Sequence, residues 1–151
     1  MTFDFATPST WGYEANAGAG ADYTPDKPIV VEPVTIAVDT KTAVTGGGKF
    51  RFWFPANEST AKDFRCSSAG GKKGQTLTFT ADGNIITEIK FTAAKFALTT
   101  NTGELSAYAN KAATWTGSAT EVVFTTTDAN TLNSICRAQN EAFDIRNGCF
   151  W

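Results

Sequence analysis

The stretch Gln75–Phe91, QTLTFTADGNIITEIKF, constrains the fold of this chain more than any other part of the sequence. Leu77 and Phe79 alternate with threonines, which is the period of a strand that buries one face. A second alternating run follows the dipeptide Asp82-Gly83, which suits the positive φ of a tight turn. The pattern therefore predicts a β-hairpin with Asp82-Gly83 at its tip.

The second strand of this hairpin has two faces. Its alternation assigns Ile85, Ile89 and Phe91 to one face, and Ile86, Glu88 and Lys90 to the other. Each strand buries one face, so a second sheet must cover that face. We therefore expect an all-β fold, a single antiparallel β-sandwich of the jelly-roll or immunoglobulin-like type.

The apolar composition favours strands over helices. The chain has 12 phenylalanines but one methionine among its 151 residues, and aromatic residues suit a half-buried pleated surface. This length fits a single domain, residues 1–151, with a sizeable two-layer core. Residues 137–151 are an atypical tail of that domain.

Charge and hydropathy argue against two classes of partner. The 13 basic and 15 acidic side chains give a formal net charge of −2 and are spread along the chain. They form no basic stripe, so we expect no nucleic-acid binding. No apolar run approaches the roughly 20 residues of a membrane-spanning helix, so we expect no membrane insertion.

The start of the sequence leaves two locations open. Residues 1–10, MTFDFATPST, lack the basic and apolar segments of a signal peptide. We interpret Met1 as the start of a piece cut from a longer secreted protein, which implies an extracellular or cell-surface location. The alternative is a native start, as in a virion or cytoplasmic protein.

Further strands are expected on both sides of the hairpin. Alternation places them at Thr2–Ala6, Val30–Val38, Lys49–Phe54 and Thr120–Thr126. Pro33 marks an edge or a bulge within Val30–Val38. Pro55–Gly74 is expected to be a long polar connection, which includes Asp63-Phe64-Arg65-Cys66.

The end of the chain has two interpretations. Leu132, Ile135, Gln139 and Phe143 recur at helical spacing, with Gly148 as a stop signal, which predicts a short C-terminal helix. A short strand at 133–137 fits the same region.

Three cysteines, Cys66, Cys136 and Cys149, leave at least one thiol unpaired within the chain. A Cys136–Cys149 disulfide that pins the tail and three free buried thiols are both compatible with the sequence. The cysteine count therefore does not decide the redox compartment.

Trp53 is the leading candidate for a ligand contact. If the phenylalanines of Lys49–Phe54 form the core face, Trp53 lies beside Arg51 on the opposite face. An indole next to a cation is a recognisable contact surface. The alternative is that the connection Pro55–Gly74 covers Trp53.

Other aromatic and polar residues extend this candidate site. Trp11 with Tyr13, and Trp115, are further rings on which the apolar face of a sugar could stack. For Trp11 and Tyr13 the alternative is that they pack in the core as aromatic residues commonly do. Candidate polar partners of a sugar are Asn57, Asp63 and Arg65.

No catalytic residue is predicted. The chain has no histidine, so the commonest general base and metal ligand is missing, and Ser–His–Asp and Cys–His sets cannot form. The carboxylates best suited to an acid–base pair are expected on exposed strand faces or turns: Asp63, Glu88, Glu104 and Glu121.

No metal site or cofactor is predicted either. The cysteines lack the paired spacing of a zinc site. Calcium bound in a loop stays open as an alternative, although no ligand spacing supports it; the aspartates concerned are Asp22, Asp26, Asp39 and Asp128.

Three segments together resemble a domain found repeatedly in surface and secreted proteins of Bacteroidota bacteria. The segments are TFDFATPSTWGYEANAG at the start, TLTFTADGNIITEIKFT in the middle, and LTTNTGELSAYANKAATWTGSATEVVFTTT after it. The shared pattern has a G-x-I-I-T-x-I-x-F strand, an N-T-G turn and a W-T-G-S-A-x-x-V-x-F-T strand, with Asp63-Phe64-Arg65 where an Asp-x-Arg often precedes the hairpin. The resemblance covers most of residues 1–135; the tail Arg137–Trp151 departs from it. The domain that the chain resembles ends in a strand of the type I-x-S-I-x-V, which Leu132–Cys136 matches, so for the end of the chain we favour the strand over the helix.

The resemblance implies a β-sandwich attached to carbohydrate-handling or adhesive proteins, without a catalytic set. Together with the aromatic residues it predicts a non-catalytic binding module for a glycan or another surface polymer. The alternative is a structural or assembly protein of a surface appendage, adhesin or virion, which acts through protein–protein contacts.

Overall fold

The computed structural model describes residues 2–14, 20–39, 50–54, 62–66 and 73–139. These residues form thirteen β-strands and one short 3₁₀ turn at Pro8–Trp11. In chain order the strands are β1 (Thr2–Asp4), β2 (Gly20–Asp22), β3 (Ile29–Val31), β4 (Val34–Asp39), β5 (Arg51–Trp53), β6 (Asp63–Cys66), β7 (Thr76–Ala81), β8 (Ile86–Lys95), β9 (Leu98–Thr100), β10 (Glu104–Leu105), β11 (Ala112–Ala119), β12 (Glu121–Thr126) and β13 (Asn130–Gln139).

Two antiparallel sheets pack against each other, so the predicted β-sandwich is confirmed. Sheet A has eight strands: seven lie in the order β10-β11-β8-β13-β6-β5-β2, and β1 pairs with β13. Sheet B has five strands in the order β3-β4-β7-β12-β9. Because β6 and β1 pair with successive parts of β13, this long strand organises one half of sheet A.

Phenylalanine rings fill the space between the sheets. Phe79 of sheet B meets Phe91 of sheet A edge to face, with ring centroids 6.1 Å apart and planes at 88°. Under β5 and β6, Phe52 lies 4.7 Å from Phe64 and 4.8 Å from Tyr13. Aromatic pairs of this kind contribute about 0.5–1.5 kcal/mol each beyond their buried area. The rings of Phe52, Phe64 and Tyr13 thus form a cluster that packs under β5. This packing fixes the strand whose outer face carries Trp53.

The predicted hairpin at Gln75–Phe91 is wrong as a pairing, although its turn is correct. Gly83 has the expected positive φ of 67°. However, β7 pairs with β4 and β12 in sheet B, whereas β8 pairs with β11 and β13 in sheet A. The turn therefore carries the chain across the sandwich from one sheet to the other.

The predicted faces of β8 are also wrong at its start. Ile86 is fully buried and Ile85 is 37% exposed, the reverse of the simple alternation. The pairings of β8 with β11 and β13 both shift register between Ile86 and Glu88. Relative to β13, β8 has one extra residue at this point. Ile86 and Ile89 therefore face the core with two residues between them.

The strand predicted at Val30–Val38 is two strands. β3 and β4 form a hairpin in which Val31 pairs with Val34, and Glu32-Pro33, joined by a cis peptide bond, connects them. The predicted alternation of Val34, Ile36 and Val38 toward the core is confirmed. So is the inward orientation of Val122 and Phe124 in β12.

The expectation of a long polar connection at Pro55–Gly74 is wrong in its centre. Residues 63–66 form β6, which pairs with β5 and β13. Phe64 is fully buried, and its burial fixes Asp63 and Arg65 on the outer face. The four-residue strand is easily missed because only one of its described side chains is apolar.

The strand favoured near the end of the chain is confirmed. β13 covers Asn130–Gln139 and pairs with β8 along most of its length, so those residues are not helical. The possibility of a helix beyond Gln139 lies outside the described residues. The same holds for Cys149, and the side chains of Cys66 and Cys136 are not described either, so the cysteine alternatives stay open.

Candidate binding face

The outer surface of sheet A brings four of the predicted site residues together at β5 and β6. Trp53 is directly opposite Asp63, and Arg51 is directly opposite Arg65. Residues that are paired across two strands point to the same side of a sheet. The next strand, β2, adds Asp22 opposite Arg51. We refer to the side chains of Asp22, Arg51, Trp53, Asp63 and Arg65 as the Trp53 face.

Two guanidinium groups lie beside the indole of Trp53. The Cζ atom of Arg65 is 5.2 Å from the centre of the indole ring system, and that of Arg51 is 5.8 Å from it. Trp53 is partly exposed. Contacts between a guanidinium and an indole at these distances contribute about 0.5–1 kcal/mol each. The ring is therefore held in place while part of it stays accessible.

The two ion pairs of the Trp53 face differ in burial. Arg65 donates from Nε and Nη2 to the two carboxylate oxygens of Asp63, and Asp63 is only 1% exposed. Arg51 Nε lies 3.1 Å from Asp22 Oδ1, with side chains 38% and 45% exposed. The expectation that Asp63 is solvated is wrong, because Arg65 pairs with its buried carboxylate.

A polar pocket of about 410 Å³ adjoins the Trp53 face and shares Asp22 with it. Tyr13, Glu14 and Lys27 line its other side. The Tyr13 hydroxyl lies within hydrogen-bond distance of the carbonyls of Thr24 and Lys27 and accepts from the Thr24 N–H. Lys27 Nζ donates to the Gly12 carbonyl at 3.0 Å. Glu14 and Asp22 are the acidic residues that line this pocket.

Trp11 and Tyr13 pack as core residues. Trp11 Nε1 donates to the Val30 carbonyl at 2.9 Å, and its ring stacks on Phe52 at 6.0 Å. Tyr13 is 4% exposed. Tyr13 is thus buried and Trp11 partly buried against the core, and we do not include them in the Trp53 face.

Trp115 is fully buried at the opposite end of sheet A. Its Nε1 donates to the Thr102 carbonyl at 2.6 Å. A Cβ atom on Gly103 would lie 2.5 Å from Trp115 Nε1, and one on Gly117 would lie 2.5 Å from its Cζ2. The N-T-G turn and the W-T-G sequence thus form one structural unit, in which two glycines leave room for an indole ring.

A second concave region, which the sequence analysis missed, lies between the sheet edges β9 and β10. This groove of about 420 Å³ is lined by uncharged residues that include Phe96, Leu98, Leu105 and Tyr108. Tyr108 is 38% exposed, stacks on Phe96 at 5.8 Å, and donates its hydroxyl to the Ala93 carbonyl. Its sequence context, A-Y-A-N, carries no motif that could have indicated this position.

Four residues that were named from the sequence as sugar-binding or acid–base candidates remain: Asn57, Glu88, Glu104 and Glu121. Asn57 lies outside the described residues. Glu88 pairs with Lys90 at 3.1 Å, while Glu104 and Glu121 are exposed at the ends of their strands. In the described ranges no three Asp, Glu, Cys or His side chains come close enough to hold a metal ion.

Comparisons with protein-family models, with curated proteins and with solved structures find no match for this chain. None of the described segments is a helix long and apolar enough to cross a membrane. The fold therefore defines the class, an antiparallel β-sandwich, and the Trp53 face is the feature from which a function can be argued.

Proposed function

We propose that this protein is a non-catalytic binding module that attaches to a glycan through the Trp53 face. The observation that carries the proposal is a partly exposed indole with two guanidinium groups beside it on the outer surface of a sheet. A pyranose ring presents an apolar C–H face that an indole can cover, and its hydroxyls need charged or polar partners close by. The Trp53 face offers both kinds of contact within one patch.

Rigidity of the surrounding sheet supports this proposal. Phe52, next to Trp53 along β5, and Phe64, which pairs with Phe52 across to β6, are fully buried. A ring fixed in this way loses little conformational freedom when a ligand binds, so more of the contact energy appears as affinity. Attachment of this kind suits a protein of a cell surface or an extracellular assembly.

The test is a titration of plant, host and microbial oligosaccharides while tryptophan fluorescence is recorded. Trp53→Ala should abolish binding, while thermal unfolding shows that the variant is folded. Tyr108→Ala is the matched control, because it removes the exposed aromatic ring of the β9–β10 groove. Absence of binding across the panel, or binding that depends on Tyr108 but not on Trp53, would rule the proposal out.

A second candidate function is assembly through protein contacts at the edge strand β9. Asn101 N–H donates to the Val123 carbonyl and Thr127 N–H to that of Ala97, so the backbone groups of Leu98 and Thr100 point away from β12. The edge Leu98–Thr100 carries no charge or proline, which are the common protections against edge pairing.

Sedimentation velocity tests this second function. If a second copy of the chain pairs with β9, Thr100→Pro should abolish self-association, because it removes an outward N–H without touching the β12 pairing. A wild-type protein that is monomeric at high concentration would exclude self-assembly through this edge.

A further inference from the structure

We propose that the Trp53 face takes an acidic saccharide, and that Arg51 binds the carboxylate of its uronic acid ring. This inference rests on the proposed glycan binding and adds the class of sugar. It follows from a difference between the two arginines, which lie at similar distances from Trp53 but differ in the donors that they have left to offer.

Arg65 is tied to Asp63 through two of its five N–H donors. Its Nε and Nη2 bond both oxygens of Asp63, and the Asp63 side chain is only 2% exposed. Breaking this bidentate pair would leave a buried carboxylate without its counter-charge, which is strongly unfavourable. Arg65 is therefore held at Asp63, and a ligand carboxylate that drew it away would leave Asp63 unpaired.

Arg51 has donors to spare. Its Nε lies 3.1 Å from Asp22 Oδ1 but makes no hydrogen bond in that direction, so the contact is one of charge alone. Its η nitrogens donate no hydrogen bond to any part of the chain that the structure describes. Since both side chains of this pair are well exposed, the pair itself is weak.

The Arg51 guanidinium packs against the backbone at Gly20. A Cβ atom at residue 20 would lie 2.8 Å from Arg51 Nε and 3.1 Å from its Cζ. The guanidinium therefore lies directly against the backbone of β2, in space that any other residue would fill. The Arg51 side chain is 38% exposed and lies beside the indole, and a guanidinium presents its N–H donors to an anion as a planar fork.

The geometry fits a uronic acid. The carboxylate of such a sugar is attached directly to a ring carbon, so a ring stacked on Trp53 brings its carboxylate next to the neighbouring guanidinium. Arginine binds carboxylates through two parallel N–H bonds, which adds direction as well as strength. Asp22 pairs with Arg51 and lines the adjoining pocket together with Glu14, so a second acidic group of the ligand would meet like charge there.

The experiment compares each acidic oligosaccharide with its neutral counterpart. Galacturonate, glucuronate and mannuronate oligomers are titrated beside their carboxyl-reduced forms, which keep the sugar ring and lose the charge. We expect at least about tenfold tighter binding of one acidic form, from a charge-assisted hydrogen bond. Raising the ionic strength from about 0.01 M to about 0.15 M should weaken that binding.

Variants separate Arg51 from the overall charge. Arg51→Met should abolish the preference for the acid, whereas Lys90→Met, which removes the same charge three strands away in sheet A, should preserve it. Asp22→Asn should strengthen binding by about two- to fivefold, because it removes a competing carboxylate.

The outcomes distinguish the two proposals. Equal affinity for acidic and neutral forms with loss of binding in Trp53→Ala would overturn the acidic-sugar inference and leave the proposed function standing. Binding that does not depend on Trp53, or no binding at all, would overturn both. A preference for the acid that survives Arg51→Met would overturn the role of Arg51.

Discussion

Gly103 and Gly83 share a backbone conformation but differ in their surroundings. Both have φ of 67°. A Cβ atom on Gly103 would lie 2.5 Å from the Thr116 carbonyl and from Trp115 Nε1, while one on Gly83 would meet nothing within 4 Å. The pair therefore separates the cost of the backbone conformation from the cost of lost space.

Alanine at these two positions should have unequal effects on stability. Gly83→Ala should lower the free energy of unfolding by about 1–2 kcal/mol, the cost of the left-handed conformation. Gly103→Ala should lower it by about 3 kcal/mol or more, because overpacking against Trp115 is added. Urea denaturation measures both. Equal losses would show that Trp115 does not pack on Gly103 as described.

Because of Tyr23, the free energy of unfolding should change with pH in the alkaline range. Burial raises the pKa of the Tyr23 phenol above its ordinary value of 10.0, and a backbone hydrogen bond at Val38 offsets part of this rise. The unfolded chain then loses this proton at a lower pH than the folded chain does. The stabilisation is complete below about pH 10 and disappears as the pH rises through the folded-state pKa.

Denaturation at pH 8 to 11 tests the contribution of Tyr23. The free energy of unfolding should decline above about pH 10, and Tyr23→Phe should reduce the steepness of that decline. An identical decline in the wild type and in Tyr23→Phe would mean that other groups account for it.

The two arginines of the Trp53 face should differ in what they contribute to stability. Arg65→Met leaves the buried Asp63 carboxylate unpaired and should cost about 3–5 kcal/mol. Arg51→Met breaks only an exposed pair and should cost about 1 kcal/mol or less. Thermal and urea denaturation compare them. Similar losses would remove the physical basis for treating Arg51 as the arginine available to a ligand.

At the scale of elements, β8 shows how an irregular strand start changes which residues matter. Ile86 is fully buried and Ile85 is 37% exposed, although they are adjacent in sequence. Ile86→Ala should therefore cost about 2–5 kcal/mol, and Ile85→Ala about 1 kcal/mol or less. Urea denaturation of the two variants decides between the register shift and simple alternation, which predicts the opposite order.

The alternation of apolar and polar residues predicted the sandwich, because this pattern reports which face of each strand is buried. Val34, Ile36, Leu77 and Phe79 were placed correctly since each lies in an uninterrupted strand. Alternation carries no information on which strand is the neighbour, so the turn at Asp82-Gly83 was interpreted as a hairpin although it crosses between sheets. The register shift in β8 was likewise invisible, because it arises from pairing with β11 and β13.

The candidate site was predictable only in part. The sequence indicated Trp53 and Arg51 through their position opposite a phenylalanine face. Asp63 and Arg65 were named as polar partners, but their strand was taken for a loop, so their pairing with β5 was not foreseen. Asp22 joins the Trp53 face through the β2–β5 pairing, a long-range contact that no local pattern encodes.

At the scale of the whole molecule, the three described tryptophans differ in what their indole rings contact. The indole N–H groups of Trp11 and Trp115 bond backbone carbonyls of Val30 and Thr102 within the fold. Trp53 instead lies on the outside of sheet A, where its contacts are charged side chains. Under the proposed function, Trp53 is the tryptophan that binds ligand, and the other two stabilise the fold.

The most direct test of this account is the response of the tryptophan indole N–H signals in a ¹H–¹⁵N NMR spectrum during an acidic oligosaccharide titration. Trp53→Phe identifies the signal of Trp53 by its loss. We predict that this signal shifts with ligand concentration while those of Trp11 and Trp115 stay in place. A titration in which Trp11 or Trp115 shifts and Trp53 does not would contradict the account.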